Sequence, residues 1–337
     1  MHTVLVTGAA GFIAQHVVAQ LLERGFAVRG TVRKLDRGEQ VRESLASSGI
    51  DVAGLDFVVA DLDDDAGWDE AVAGCRYVQH LASPFPLEPP RDREALVPAA
   101  REGALRVARA ARAADVERLV VTSSMVAMMY RAGRPPRCAV DESSWTDPDW
   151  TPLTAYVVSK TRAERALWDW AEAEQWRESV ATVNPAFVLG PGIGDGVGTS
   201  LEVIRMFMQG AYPAVPPVAY PVVDVRDVAA VHVAAMTTPA AGGRRLIASD
   251  KTLSFVELAR LLKRKYPQRR LPVRQLPRPL VRLVALFDRP LRSVLQDLGV
   301  APEADASYVT DLLDVAFRPA EEAALASAAH LVSRGLV

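Results

Sequence analysis

Cysteine is almost absent from this chain: Cys75 and Cys138 are the two in 337 residues. So few rule out a disulfide framework, and no Cys/His spacing suggests a zinc site. An excess of one charge is missing as well. Lys plus Arg number 39 against 41 Asp plus Glu, a formal net charge of −2, which leaves no electrostatic footprint for nucleic acid. The basic stretch from Lys263 to Arg282, with Arg269, Arg270, Arg274 and Arg278, is broken by prolines and reads as solvated surface. No apolar run is long enough to span a bilayer. Residues 1–6 already read as a strand, so no cleavable signal precedes the fold and the expected location is the cytoplasm. Internal repeats and low-complexity linkers are also lacking. What remains is a chain half of whose residues are hydrophobic, long enough for a full α/β domain and a smaller lobe.

The organising stretch is Val4-Leu5-Val6-Thr7-Gly8-Ala9-Ala10-Gly11-Phe12-Ile13-Ala14. Val4 to Val6 suits a buried parallel strand. Small residues follow, and then a helix carries Ile13, Val17, Val18, Leu21 and Leu22 on one face, with Gly25 at its stop. Gly8 and Gly11 let the backbone turn tightly and approach a ligand, and the helix start presents its amides and positive dipole end to a phosphate. This G-x-x-G-x-x-A turn places Thr7, Gly8, Gly11, Phe12 and Ile13 against a dinucleotide. The second strand, Ala27 to Val32, ends at Arg33 and Lys34, where an NAD-binding fold usually has an acid. A guanidinium there grips a 2′-phosphate with two hydrogen bonds, so NADP is favoured over NAD.

The chain then alternates. Strands are expected at Leu55 to Ala60, Tyr77 to Ala82 and Val116 to Ser123, with helices near 66–74 and from Arg93 to Ala114. That order predicts an α/β fold of Rossmann type, a doubly wound parallel sheet with a smaller, discontinuous C-terminal lobe. Residues 1–189, with 221–250 returning to them, are expected to form the nucleotide domain. Residues 190–220 and 251–337 are expected to form the substrate lobe. Helices are predicted at 200–209, from Asp224 to Met236, after a capping box at Ser254 to Glu257, and from Pro319 to Arg334, with a strand at Arg245 to Ala248. Ligands in such sheets bind at the carboxyl ends of the strands, which selects Asp61, Ser83 and Ser124. His80, inside its strand, reads as a satisfied core histidine.

The second decisive stretch is Tyr156-Val157-Val158-Ser159-Lys160. Residues at i and i+4 share a helix face, so Tyr156 and Lys160 project together. With seven tyrosines and five lysines, chance Y-x-x-x-K pairs should number about 0.1. An ammonium nearby, together with the positive nicotinamide ring, favours the phenolate and brings a phenol towards working pH.

At this point the residues resemble the extended short-chain dehydrogenase/reductases, most nearly the dihydroflavonol-reductase-like branch, which includes plant dihydroflavonol and cinnamoyl-CoA reductases and microbial aldehyde and ketone reductases. Besides the glycine turn, the resemblance rests on Thr31-Val32-Arg33, Leu81-Ala82-Ser83-Pro84-Phe85, Val121-Thr122-Ser123-Ser124 and Asp141-Glu142-Ser143-Ser144-Trp145. It continues in Tyr156 to Lys160, Asn184-Pro185-Ala186-Phe187-Val188-Leu189-Gly190-Pro191 and Asp224-Val225-Arg226-Asp227-Val228. It implies an NADP(H)-dependent reductase of small carbonyl compounds, monomeric or homodimeric. Tyr156 resembles the general acid, Lys160 the residue holding the nicotinamide ribose, and Ser124 the donor to the carbonyl oxygen. Arg33 matches the 2′-phosphate arginine, Asp61 and Leu62 the adenine pair. Ala82 and Ser83, with Pro185 and Val188, match the nicotinamide surroundings.

The substrate lobe departs from the best-known relatives. Met129 stands where the plant flavonoid reductases have an asparagine, and a thioether cannot replace that contact. Phe85, Met125, Met129, Met206, Phe207, Tyr212 and Tyr220 would give an adaptable apolar pocket for aryl or alkyl ketones and aldehydes. For each of them a plain core position is the alternative. Three functions stay open: an NADPH-dependent carbonyl reductase; the same trio used for hydroxysteroid oxidation or sugar-nucleotide epimerisation or dehydration; and a non-catalytic NADP-sensing regulator.

Overall fold

The computed structural model describes residues 2–83, 90, 92–194 and 198–337. In chain order the first half holds β1 (Thr3–Thr7), α1 (Phe12–Glu23), β2 (Ala27–Val32), α2 (Leu35–Ser47), β3 (Leu55–Val59), α3 (Trp68–Val72), β4 (Cys75–His80), α4 (Val97–Ala113), β5 (Arg118–Thr122) and β6 (Arg137–Val140). Then come α5 (Ala155–Ala173), β7 (Val180–Pro185), β8 (Phe187–Leu189), α6 (Thr199–Gln209), β9 (Ala219–Asp224), α7 (Val225–Thr237), β10 (Arg245–Ala248) and β11 (Lys251–Ser254). The chain ends with α8 (Phe255–Lys265), α9 (Arg278–Val284), α10 (Arg289–Ser293), β12 (Ala301–Ala304), α11 (Ser307–Leu313) and α12 (Ala320–Ser333).

Alternate residues of β1 face opposite ways. Val4 and Val6 join a core with Val17, Val18 and Leu21 of α1, Val41 and Leu45 of α2, and Val228 and Val231 of α7. Leu5 joins the opposite core, with Val107 and Ala111 of α4 and Leu167 and Ala171 of α5. Burial on both faces is why this strand is an unbroken apolar run. The main sheet has the order β10-β7-β5-β4-β1-β2-β3, and its paired strands all run parallel. The chain winds outward from β1 to β3 and then crosses back to lay β4 on the other side of β1. The carboxyl ends of β1 and β4 therefore flank the topological switch point, where such sheets bind ligands.

A second sheet, β11-β9-β8, packs under α6, α8 and α12 through Leu189, Ile204, Phe207, Phe255, Leu258 and Ala324. β6 and β12, far apart in sequence, pair in parallel with Cys138 opposite Pro302. The capping box at Ser254 and Glu257 forms as expected. Helix α2, which the residue pattern does not announce, fills the β2–β3 crossover. None of the described helices is long and apolar enough to cross a membrane.

Three buried histidines make the fold pH-sensitive. Burial lowers His16 to about 4 and both His80 and His232 to about 3, against about 6.5 in an unfolded chain. The folded state refuses protons that the unfolded state accepts, so this contribution is complete above the unfolded value and is lost as pH falls towards the folded values. Stability, read as the urea midpoint, should drop from pH 7 to pH 5 by on the order of 1–2 kcal/mol per histidine. A flat midpoint over that window would show that these rings are not buried neutral.

Candidate active site

Gly8 leaves β1 at φ +63°, the left-handed region that a side chain resists. A Cβ there would lie 3.0 Å from Ala82, so the turn needs glycine for both conformation and space. Its amide donates to Thr31 Oγ1 at 3.0 Å, and the Gly11 amide donates to Gly8 O at 2.8 Å. Gly11 caps α1 without a side chain, and no acid sits in the first turn. The amides of Phe12 and Ile13 thus begin a helix that no side chain caps, which fits a pyrophosphate. Phe12 is covered by Gly198, whose added Cβ would come within 2.7 Å of the ring. Gly198, just before α6, therefore packs on the start of α1.

Arg33 and Lys34 are exposed at the end of β2. Among the described residues neither side chain makes an ion pair, so both stand free for an anion. Asp61 and Leu62 follow β3, half-buried; the Asp61 carboxylate accepts from the Asp63 amide at 3.2 Å. On the neighbouring side, the Thr7 hydroxyl accepts from the amides of Leu81 (3.1 Å) and Ala82 (3.0 Å). Its one proton therefore goes to His80 Nδ1 at 2.8 Å, which makes His80 a neutral ring protonated on Nε2. This bond ties the ends of β1 and β4 together and sets Ala82 and Ser83 beside the glycine turn. Pro185 ends β7, and Val188 lies buried on β8.

Thr154 caps α5, and Tyr156 and Lys160 follow on one face of it. Ser124, just beyond β5, caps a short 3-10 turn, its Oγ accepting weakly from the Val126 amide at 3.3 Å. The Tyr156 hydroxyl is hydrogen-bonded to Ser124; burial raises the phenol's pKa and that bond partly offsets the rise. In the chain alone Lys160 is not among the groups that lower the phenol. The ammonium points instead to Thr122 O, at 3.4 Å, and is coupled to Glu164. A raised phenol keeps its proton at neutral pH, which is the state a proton donor needs. Burial lowers Lys160 to about 8, with Glu164 opposing.

The arrangement also contains residues for which the sequence reading had no role. Glu164, one turn beyond Lys160, accepts hydrogen bonds from Ser123 Oγ (2.5 Å), Asn184 Nδ2 (2.9 Å), Arg245 Nε (2.7 Å) and Thr182 Oγ1 (3.1 Å). The i, i+4 spacing from Lys160 was the available signal; the three strands that supply the donors were not foreseeable from it.

Comparison with known proteins bears on this geometry. The profile described as the NAD dependent epimerase/dehydratase family matches residues 4–247, more than two thirds of the chain. The chain belongs to that family, the extended short-chain dehydrogenase/reductases. Cinnamoyl-CoA reductase 1 of Arabidopsis thaliana is 36% identical over 274 residues, 81% of this chain and 77% of the relative. The crystal structure of yeast methylglyoxal/isovaleraldehyde reductase Gre2 complexed with NADPH superposes with a TM-score of 0.81 at 25% identity, covering 99% of this chain and 100% of that one. Gre2 from Candida albicans in complex with NADPH gives 0.80 at 26% identity, covering 99% of each. Such relatives put the chain in the dihydroflavonol-reductase-like branch of the family.

Against that family background the substrate side is more closed than the sequence reading expected. Met125 and Met129, 2% and 4% exposed, pack with Tyr130, Leu153, Val157 and Val158. Phe207 is buried edge-on against Phe255. Tyr220 is half-buried and donates to Asp297 Oδ2 at 2.8 Å, and Tyr212 donates to Asp288 Oδ2 at 3.2 Å. Of these, Tyr220, Tyr212 and the half-buried Met206 keep surface that a ligand can touch. Phe85 lies outside the described residues.

Proposed function

We propose that this chain is an NADPH-dependent carbonyl reductase acting on bulky apolar or aryl ketones and aldehydes. The observation that carries the reading is the Tyr156–Ser124 hydroxyl pair at the carboxyl end of β5, one turn from Lys160 and on the same edge of the sheet as the glycine turn. The two hydroxyls converge as a carbonyl oxygen would require. Bound NADPH supplies hydride to the carbonyl carbon. Ser124 and Tyr156 hold the oxygen as negative charge develops on it, and Tyr156 passes its proton to that oxygen. Lys160 binds the nicotinamide ribose and steadies the phenolate left behind. Arg33 and Lys34 take the 2′-phosphate, Asp61 and Leu62 face adenine, and Ala82, Ser83, Pro185 and Val188 enclose the nicotinamide. Tyr220 and Met206, which keep accessible surface beside the apolar core, favour an apolar substrate over a charged sugar nucleotide. Residues 1–189 with 221–250 serve the cofactor, and 190–220 with 251–337 the substrate; the second sheet draws strands from both groups.

The test is turnover. Mixed with NADPH and a panel of aryl and alkyl ketones and aldehydes, the protein should consume nicotinamide absorbance only when a carbonyl compound is present. NADPH binding without turnover on any member would point to a sensor, and turnover only with NADP and hydroxysteroids to the oxidative reading.

A further inference from the structure

We propose that Glu164 is a positioning residue of this reaction: its buried carboxylate holds Lys160 as an ammonium and fastens the strand ends that carry Ser124 to the helix that carries Tyr156. The inference rests on the reading of Lys160 and Tyr156 given above.

The Glu164 side chain is 1% exposed. Besides Trp168 Nε1 of its own helix, at 3.4 Å, its donors come from three adjacent strands: Ser123 at the end of β5, Thr182 and Asn184 of β7, and Arg245 of β10. Asn184 Nδ2 donates also to Ser124 O at 3.3 Å, so the carboxylate reaches the catalytic turn through one side chain. Arg245 is held independently. It donates to Glu142 O and Ser144 O at 2.9 and 2.6 Å and lies over the Trp145 ring. A buried ion pair contributes little net stability compared with apolar residues of the same volume. A fixed negative charge one helical turn from Lys160, by contrast, acts directly on the amine. A cavity of about 30 Å³ bordered by Lys160, Glu164, His80, Ser123 and Thr182 has room for water beside both charges.

The other groups facing Lys160 do not compensate. His80 of β4 borders the same cavity, and His232 of α7 bonds Thr122 Oγ1 at 2.9 Å. Both are neutral across the working pH range because burial holds them near 3. Tyr156, on the same face of α5, is protonated there. Arg245 is bonded to Glu164 at 2.7 Å and is not among the residues bordering the cavity beside Lys160. Burial therefore pulls Lys160 down, and Glu164 opposes it.

Reduction needs Lys160 charged, so kcat/KM and NADPH affinity both fall as pH rises through its pKa. Glu164→Gln keeps the shape and removes the charge. The alkaline midpoint should move to lower pH by about one unit in both readouts: kcat/KM, and NADPH affinity measured by fluorescence titration without substrate. Glu164→Asp keeps the charge but cannot reach every donor, so it should lower kcat while leaving the midpoint near that of the parent. Should Glu164→Gln fail to fold because Arg245 is left charged and buried, Glu164→Gln combined with Arg245→Met removes both charges, and the same downward shift is expected. A midpoint that stays put in the neutral variant, or that moves equally in Glu164→Asp, overturns the proposal. Full activity in Lys160→Met would instead overturn the underlying reading of Lys160, so the two failures are distinguishable.

Discussion

Tyr156→Phe is expected to lower kcat for ketone reduction by roughly 10²–10⁴-fold, the usual contribution of a positioned general acid, while NADPH affinity changes by no more than about threefold. The phenol is desolvated and hydrogen-bonded to Ser124, so it holds its proton at neutral pH, aimed where a carbonyl oxygen would sit. Phenylalanine keeps the ring and its packing on α5 but has no proton to give. Ser124 would still hold the oxygen, which sets the residual rate. Single-turnover mixing of the preformed NADPH complex with a ketone reads this step without product release. Wild-type rates in the variant would remove Tyr156 from the mechanism.

Arg33→Asp is the second large effect. The residue follows β2, exposed and with no ion pair among the described residues, so its substitution should leave the fold intact. Loss of a charge-assisted contact to a phosphate costs about 1.5–3 kcal/mol, and the introduced carboxylate adds repulsion. KM for NADPH should therefore rise by about 100-fold, while that for NADH changes little or improves, because a carboxylate accepts from the ribose hydroxyls. Equal effects on the two nucleotides would contradict the assignment of Arg33 to the 2′-phosphate. Lys34, adjacent and exposed, should give a smaller loss in the same direction.

Much of the molecule could be read in advance where local chemistry decides. The glycine turn was legible because Gly8 is forced by its backbone angle and by Ala82 pressing against it. Tyr156 and Lys160 were legible because helical spacing alone aligns them. The Arg245 to Ala248 strand and the capping box at Ser254 were equally local. Helix α2 was not: its buried positions are Gly38, Val41 and Leu45, one of them a poor helix former, and apart from Leu35 and Ala46 the rest of it is polar. The β6–β12 pairing joins segments that have no local signal for each other. The Met125 to Met129 strip looked like a pocket lining because methionines suit adaptable surfaces; in the fold it is packed beneath α5, and sequence cannot tell those environments apart. Glu164 was marked only by its i, i+4 spacing from Lys160, since its role depends on donors that arrive from three strands.

A crystal structure of the protein with NADP and an aryl ketone is the most direct test of the roles given to Tyr156, Ser124 and Lys160. The carbonyl oxygen should lie within hydrogen-bond distance of both Tyr156 Oη and Ser124 Oγ, with the nicotinamide between Ala82 and Pro185 and its ribose on Lys160. A nicotinamide at the amino-terminal edge of the sheet, or a carbonyl oxygen held by neither hydroxyl, would contradict those roles.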